Sequence, residues 1–289
     1  MTTLPPALAD WFATKGWTLH PHQLDMLARA ADPATLLIAP TGGGKTLAGF
    51  LPTLAALAEH PRPGLHTLYV SPIKALAVDI ARNLTLPVEQ MGLPIRIETR
   101  TGDTPVNRRQ RQRERPPQLL LTTPESLALL LCLPDAPGLF AGLSAIIVDE
   151  AHALAGTKRG DQLALGMARL ARLAPAARRV GLSATVAHPQ ALRAWLSPTA
   201  RAEDVRLVET RGGAAPVFDL QLPEGHLPWG GHMGLASAPE IYRRIEGARV
   251  TIVFVNTRAQ AELIFAALWR LNEAALPIAM HHGSLEIGL

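Results

Sequence analysis

Ala39-Pro40-Thr41-Gly42-Gly43-Gly44-Lys45-Thr46 closes a short apolar run and opens a segment of helical periodicity. It departs from the phosphate-loop pattern G-x-x-x-x-G-K-[ST] only in carrying Ala39 where the first Gly would stand. Successive glycines let the backbone turn tightly, so that its N–H groups point into one concavity, and the helix that follows adds the positive end of its dipole. Such a nest fits a chain of phosphates. Thr41, Gly42, Gly43 and Gly44 form the loop, Lys45 can reach the β- and γ-phosphates, and the Thr46 hydroxyl can ligate Mg²⁺. About a hundred residues later Asp149-Glu150-Ala151-His152 follows a second apolar run. Asp149 at a strand end can hold the same ion through water, and Glu150 beside it can polarise an attacking water. A Gly-rich turn or an acidic helix start accounts for either segment alone. Together, in matching contexts, they point to ATP and Mg²⁺ as cofactors.

Outward from these two segments, apolar runs rich in β-formers recur at 35–40, 65–71, 95–100, 118–123, 144–150 and 179–185, separated by helical spacing. One example is Leu163, Met167, Leu170 and Ala174, with Arg169 and Arg172 on the other side. This βαβα alternation predicts an α/β fold, a mostly parallel sheet covered by helices on both faces, with ligands at the carboxyl ends of the strands. All the motif residues fall at those ends.

The chain has 289 residues, 48% of them hydrophobic, enough for one α/β domain of about 200 residues and part of another. Its single Cys132 lies in the apolar run LALLLCL, which excludes an internal disulfide and predicts a buried thiol. The N-terminus has neither a basic region nor a long apolar segment, and no stretch approaches ~18 continuous apolar residues, so a cytoplasmic protein is expected. Scattered histidines and a lone cysteine suggest no metal site beyond Mg²⁺. With 28 basic against 24 acidic residues the net charge of +4 is only a mild bias towards a polyanion. Distribution says more: Arg108, Arg109, Arg111, Arg113 and Arg115 fall within nine residues, as a basic surface or as an ordinary solvated helix face.

Further segments sit at strand ends in a fixed order: Ser71-Pro72-Ile73-Lys74-Ala75-Leu76, Arg100-Thr101-Gly102-Asp103, Thr122-Thr123-Pro124-Glu125-Ser126 and Ser183-Ala184-Thr185. Thr123 followed by Pro124 also reads as ordinary helix punctuation. With the two opening segments, this set resembles the first motor domain of superfamily 2 helicases. Longer stretches, among them LYVSPIKALAVDIARNL and IIVDEAHALAGTKRGDQLALGMARL, resemble the Lhr family and especially the bacterial ligase-associated DEXH-box helicases. The resemblance implies a RecA-like phosphate-loop NTPase domain and an ATP- and Mg²⁺-dependent DNA repair helicase that moves 3′ to 5′ on single-stranded DNA. By that likeness Lys45, Thr46, Asp149 and Glu150 would hydrolyse ATP, with Gln23 at the base. Phe12 and Trp17 resemble the rest of the adenine-recognising segment, although Trp17 reads equally as a domain-edge aromatic. His152, Ser183 and Thr185 would couple hydrolysis to strand movement. Pro72, Lys74, Arg100, Thr101, Gly102, Thr123 and Pro124 would contact the DNA backbone. The Lys158-Arg159-Gly160-Asp161 segment is a family feature with no role assigned. Implied partners are single-stranded or forked DNA, or an RNA–DNA hybrid, together with a DNA ligase and a nuclease.

Residues 1–208 are expected to form the first domain and 209–235, rich in Gly and Pro, a passage segment. Residues 236–289 would be the start of a second RecA-like domain, because 250–258 (VTIVFVNTR) and 281–285 (HHGSL) resemble its opening motifs. Such a domain normally needs about 150 residues, so a truncation, a designed cut or a frameshift near Glu286-Ile287-Gly288-Leu289 is expected. The family's arginine fingers come from a later motif, and neither Arg258 nor Arg270 matches them. Three functional classes remain: a helicase motor fragment, a nucleotide-responsive DNA-binding module without turnover, and a phosphate-loop kinase acting on a small molecule. The last gives no reason for SAT or TTPES.

Overall fold

The six expected runs become strands β1 (Ala34–Ile38), β2 (Thr67–Val70), β3 (Ile97–Arg100), β4 (Leu119–Thr122), β5 (Ala145–Val148) and β6 (Arg178–Ser183) in a computed structural model. It describes residues 4–40, 42–184, 186–210, 217–221 and 234–282. A seventh strand, β7 (Arg206–Glu209), left no clear signal, because an edge strand needs little apolar sequence and Arg206 and Glu209 are exposed. All the pairings are parallel, in the order β3-β4-β2-β5-β6-β1-β7.

Parallel strands covered on both faces must be apolar on both, and β1, β2, β4 and β5 are buried at every position. Helices α1 (Pro6–Thr14), α2 (Pro21–Ala28), α3 (Lys45–Glu59) and α4 (Lys74–Gln90) cover one face, packed on Leu37, Tyr69, Leu121, Ile147 and Leu182. The other face, with Leu36, Leu68, Leu120 and Ile146, carries α6 (Pro124–Leu131), α7 (Ala136–Phe140), α8 (Ala151–Leu154), α9 (Lys158–Leu173) and α10 (Pro189–Leu196). Leu163, Met167 and Leu170 form the buried stripe of α9, and Ala174 is buried just past its end.

One expectation is corrected here. Cys132 is exposed, not buried: Leu127, Leu130 and Leu131 take the core side of α6, and the next residue turns to solvent as the helix ends. Of the two readings of the arginine run, the solvent-facing helix face is the one found, with most of its charges already paired. The run forms α5 (Val106–Glu114), where Arg108 and Arg111 bind the Glu98 carboxylate at 3.3 and 3.1 Å, Arg113 binds Asp135 at 2.7 Å, and Arg109 binds the carbonyls of Thr101 and Gly102. Burial raises the Glu98 carboxyl, but Gln112, Arg111 and Arg108 outweigh it and hold it below the usual range.

The Lys158-Arg159-Gly160-Asp161 segment acquires a structural account. Thr157 caps α9, Arg159 grips Glu125 of α6 through two hydrogen bonds, and a Cβ on Gly160 would stand 2.0 Å from the Leu154 carbonyl. Only glycine lets the start of α9 lie against the end of α8.

The chain divides into two compact units, Met1–Ala214 and Ala215–Leu289. In the second, α11 (Ala238–Glu246) and α12 (Arg258–Leu271) pack through Ala238, Tyr242, Ile264 and Leu268. Between them residues 250–255 form no strand, and Val250, Ile252 and Phe254 are 82%, 71% and 89% exposed. Most of the passage segment and residues 283–289 lie outside the described residues. Among the described residues no helix is long and apolar enough to cross a membrane.

His66, beside the amino end of β2, is buried with Nδ1 2.8 Å from Thr67 Oγ1. Burial, reinforced by Arg62 and Arg178, pulls its imidazole down to about 4. Below its ordinary value near 6.5 the unfolded chain takes up a proton that the folded chain refuses. The stability due to neutral His66 is therefore complete above pH 6.5 and is lost towards pH 4, by on the order of 2 kcal/mol. Denaturant titrations across this range should show a shallower loss for His66→Gln than for wild type.

Candidate active site

The strand order divides the carboxyl edge of the sheet into two halves. β5, β6 and β1 lie side by side and carry the DEAH, SAT and glycine-loop segments; β3, β4 and β2 carry the remaining motif segments.

In the first half, Ala39 N donates to Ser183 O at 3.1 Å, extending the β1–β6 pairing into the loop. Gly44 caps α3 with φ of 74°, and a Cβ there would stand 2.9 Å from Gln23 Nε2. Gln23 is buried, its side-chain oxygen accepting from His20 N at 2.9 Å while its amide nitrogen lies over Gly44. Phe12 is buried nearby in the same core, whereas Trp17 is 54% exposed and meets Trp11 edge to face. Lys45 starts α3; it is 7% exposed, and its Nζ has no hydrogen-bond partner among the described residues. A buried ammonium without a partner is costly in a protein interior. Beside the glycine turn, where Gly43 N donates to the Pro40 carbonyl at 3.2 Å, it fits a phosphate.

Asp149 leaves the end of β5 and is 3% exposed. Its Oδ1 accepts from Glu150 N at 2.8 Å and its Oδ2 from the Tyr69 hydroxyl at 2.5 Å. Burial pushes this carboxyl up, against the pull of those two donors and of the Lys45 charge. Carboxylate and ammonium thus lie close enough to feel one another, as the two sides of a Mg²⁺–phosphate site would. Glu150 holds φ of 44°, a left-handed conformation that costs a non-glycine residue about 1 kcal/mol. Its Oε2 lies 3.4 Å from His152 Nδ1, which in turn lies 3.1 Å from Ser183 Oγ. The DEAH and SAT segments are therefore joined side chain to side chain. Gly42, Gly43 and Thr46 fall in or beside the loop, while Thr41 and Thr185 lie outside the described residues.

In the second half, Lys74 opens α4 and pairs with Asp103 at 3.0 Å, touching the place a Gly102 Cβ would occupy. Arg100 donates to the Arg109 carbonyl and accepts, through its own carbonyl, from Thr122 Oγ1. Pro72, Thr101, Thr123 and Pro124 are buried, and Thr123 Oγ1 caps α6 at Ser126 N. Surface is presented by Lys74, Gly102 and part of Arg100. Tyr69, Asp103 and Glu125 were not among the expected site residues. A phenol within the otherwise apolar run LYV was the available signal for the first.

A family model for the DEAD/DEAH box helicase matches residues 20–193. The chain belongs to that family. Relatives of this DEAD/DEAH-box chain include the Lhr helicase/probable uracil glycosylase of Mycolicibacterium smegmatis, 39% identical over 91% of this chain and 18% of the relative. The Lhr helicase/uracil glycosylase of Escherichia coli is 36% identical over 94% of this chain and 20% of its own length. Among solved structures, Mycobacterium smegmatis helicase Lhr bound to ssDNA and AMP-PNP superposes with a TM-score of 0.78 at 36% identity, covering 98% of this chain and 38% of that one. The chain spans about a fifth of the length of these two curated relatives. Its seven-stranded parallel sheet flanked by helices is the RecA-like fold of helicase motor domains. Family membership leaves no place for a small-molecule kinase.

Gly44→Ala is expected to lose on the order of 1 kcal/mol of folding stability, because φ of 74° disfavours a side chain and the Cβ collides with Gln23. A denaturation midpoint equal to wild type would contradict this account of the loop.

Proposed function

We propose that this chain is the ATP-binding motor portion of a DNA helicase or translocase. The observation that carries this reading is the buried Lys45 ammonium beside the glycine turn, without a hydrogen-bond partner among the described residues and with its charge felt by the buried Asp149 carboxylate. Bound there, Mg·ATP would supply the γ-phosphoryl group and the charge neutralisation its transfer needs. Gln23, whose amide nitrogen lies beside Gly44, would meet the base. Lys45 and the loop of Thr41, Gly42, Gly43 and Gly44 would bind phosphate; Thr46 and Asp149 would hold Mg²⁺. Glu150 would orient and deprotonate water, restrained by His152. His152 and Ser183, with Thr185, would pass a change at the γ-phosphate to the neighbouring strand. The resemblance to an Lhr helicase solved with single-stranded DNA supports a DNA substrate. Lys74, Gly102 and Arg100 would meet the phosphate backbone from solvent, with Pro72, Thr101, Thr123 and Pro124 shaping the edge behind them. DNA repair in the cytoplasm is the proposed setting, with a ligase and a nuclease as partners, on the family resemblance alone.

Domain limits of 1–208, 209–235 and 236–289 belong to the same proposal, the last range being the opening of a second motor domain. The exposed apolar residues Val250, Ile252 and Phe254, which pair with no strand, favour a second reading for the 289 residues taken alone: nucleotide and DNA binding without efficient turnover. Arginine fingers elsewhere contribute on the order of 10³ to 10⁵ in turnover.

Lys45→Ala is expected to abolish Mg·ATP binding, measured by calorimetry; retained affinity would remove the loop from the proposal. Glu150→Gln should keep nucleotide affinity and lower DNA-stimulated hydrolysis by about 10² or more, and equal turnover would dismiss its role. Single-stranded DNA affinity should fall with salt, and Lys74→Ala should flatten the log–log slope by about one. A salt-independent affinity would contradict DNA backbone binding.

A further inference from the structure

Tyr69 sits in β2, at the middle of the sheet, and is wholly buried. Its register partners on the two flanking strands are Leu121 and Ile147, and its chain neighbours are Leu68 and Val70. In such a place an apolar side chain would pack without any polar obligation, whereas a phenol must find a partner for its hydroxyl. The partner it finds is Asp149 Oδ2, at 2.5 Å. The other face of the problem is the ring, which stacks on Phe50 at 5.3 Å between centroids and 25° between planes. Phe50 belongs to α3, the helix that begins with Lys45 and Thr46. One side chain therefore touches both walls of the candidate Mg²⁺ site: the phosphate-loop helix through its ring and the β5 carboxylate through its hydroxyl.

We propose that Tyr69 is a positioning residue for the metal site, fixing the rotation of the Asp149 carboxylate relative to α3 through its hydroxyl bond to Oδ2 and its stack on Phe50. The inference rests on the reading of Thr46 and Asp149 as the Mg²⁺ side of the nucleotide site. With Oδ1 engaged by Glu150 N and Oδ2 by Tyr69, the carboxylate plane is held at two points. Removal of the phenolic bond leaves one. Partners that orient a metal-ligating carboxylate commonly change metal affinity by about 10- to 100-fold when lost.

The test is Tyr69→Phe in the 289-residue chain, which keeps the ring and its stack and removes only the hydroxyl. Mg²⁺ is titrated against a fluorescent N-methylanthraniloyl-ATP at fixed concentration, read by anisotropy, and nucleotide binding is measured separately in EDTA. The half-saturating Mg²⁺ concentration should rise by about tenfold or more, with metal-free nucleotide binding unchanged. In an Asp149→Asn background the same substitution should add nothing to the Mg²⁺ requirement. Tyr69→Leu, which removes the stack on Phe50 as well as the hydroxyl, should raise the requirement at least as far as Tyr69→Phe does. An unchanged Mg²⁺ requirement in a folded variant, whatever its melting temperature, overturns the inference, as does an equal loss of metal-free binding. Wild-type chain that binds nucleotide with no response to Mg²⁺ overturns the reading of the site itself, an outcome distinct from a wild type that responds and a Tyr69→Phe that responds identically.

Discussion

Parallel pairing of all seven strands is the constraint on which the rest of this structure depends, because it brings every strand to the same edge at its carboxyl end. Residues separated by more than a hundred positions in the chain, such as Lys45 and Asp149, are then brought to the same edge, where the Lys45 charge is felt by the Asp149 carboxyl. The same constraint buries both faces of the central strands, so polar groups at their ends must be satisfied by one another or by a ligand. Tyr69, Asp149 and the Glu150 N–H satisfy one another. Lys45 Nζ finds no hydrogen-bond partner among the described residues, and its place at the end of the glycine turn is where the proposed polyanion would sit.

Placement of β6 between β5 and β1 has a second consequence. The SAT segment stands between the DEAH and glycine-loop segments, so His152 and Ser183 touch although they are 31 positions apart in sequence. Strain is concentrated there too, with Glu150 held in a left-handed conformation next to the His152 contact. A residue under backbone strain, linked through His152 to Ser183 of the neighbouring strand, is suited to respond when a nearby charge appears or leaves.

The other half of the edge is built differently. Lys74 and Arg100 are anchored to Asp103 and to a carbonyl of α5, and the arginines of α5 are largely spent on Glu98, Asp135 and the carbonyls of Thr101 and Gly102. Local charge density therefore overstates what this surface offers to a phosphate backbone. What the arginine helix does is hold the Thr101–Gly102 turn in place.

Six strands, the helix of Leu163, Met167 and Leu170, and the pairing of the glycine loop with DEAH were legible from the sequence, because strand burial, helix periodicity and loop chemistry are written in residues close together along the chain. The family, too, could be recognised from the order of short motifs. Long-range partners could not be read this way. That Cys132 faces solvent depends on where α6 stops, that α5 serves Glu98 depends on β3 lying beside it, and that Tyr69 meets both Phe50 and Asp149 depends on three elements packing at once. Sequence by itself determined the kind of sheet, the residue types gathered at its edge and the family, since each follows from local pattern. Only the tertiary structure decided which charges are free and which are already paired, because pairing is a property of distances between segments that the chain order does not contain.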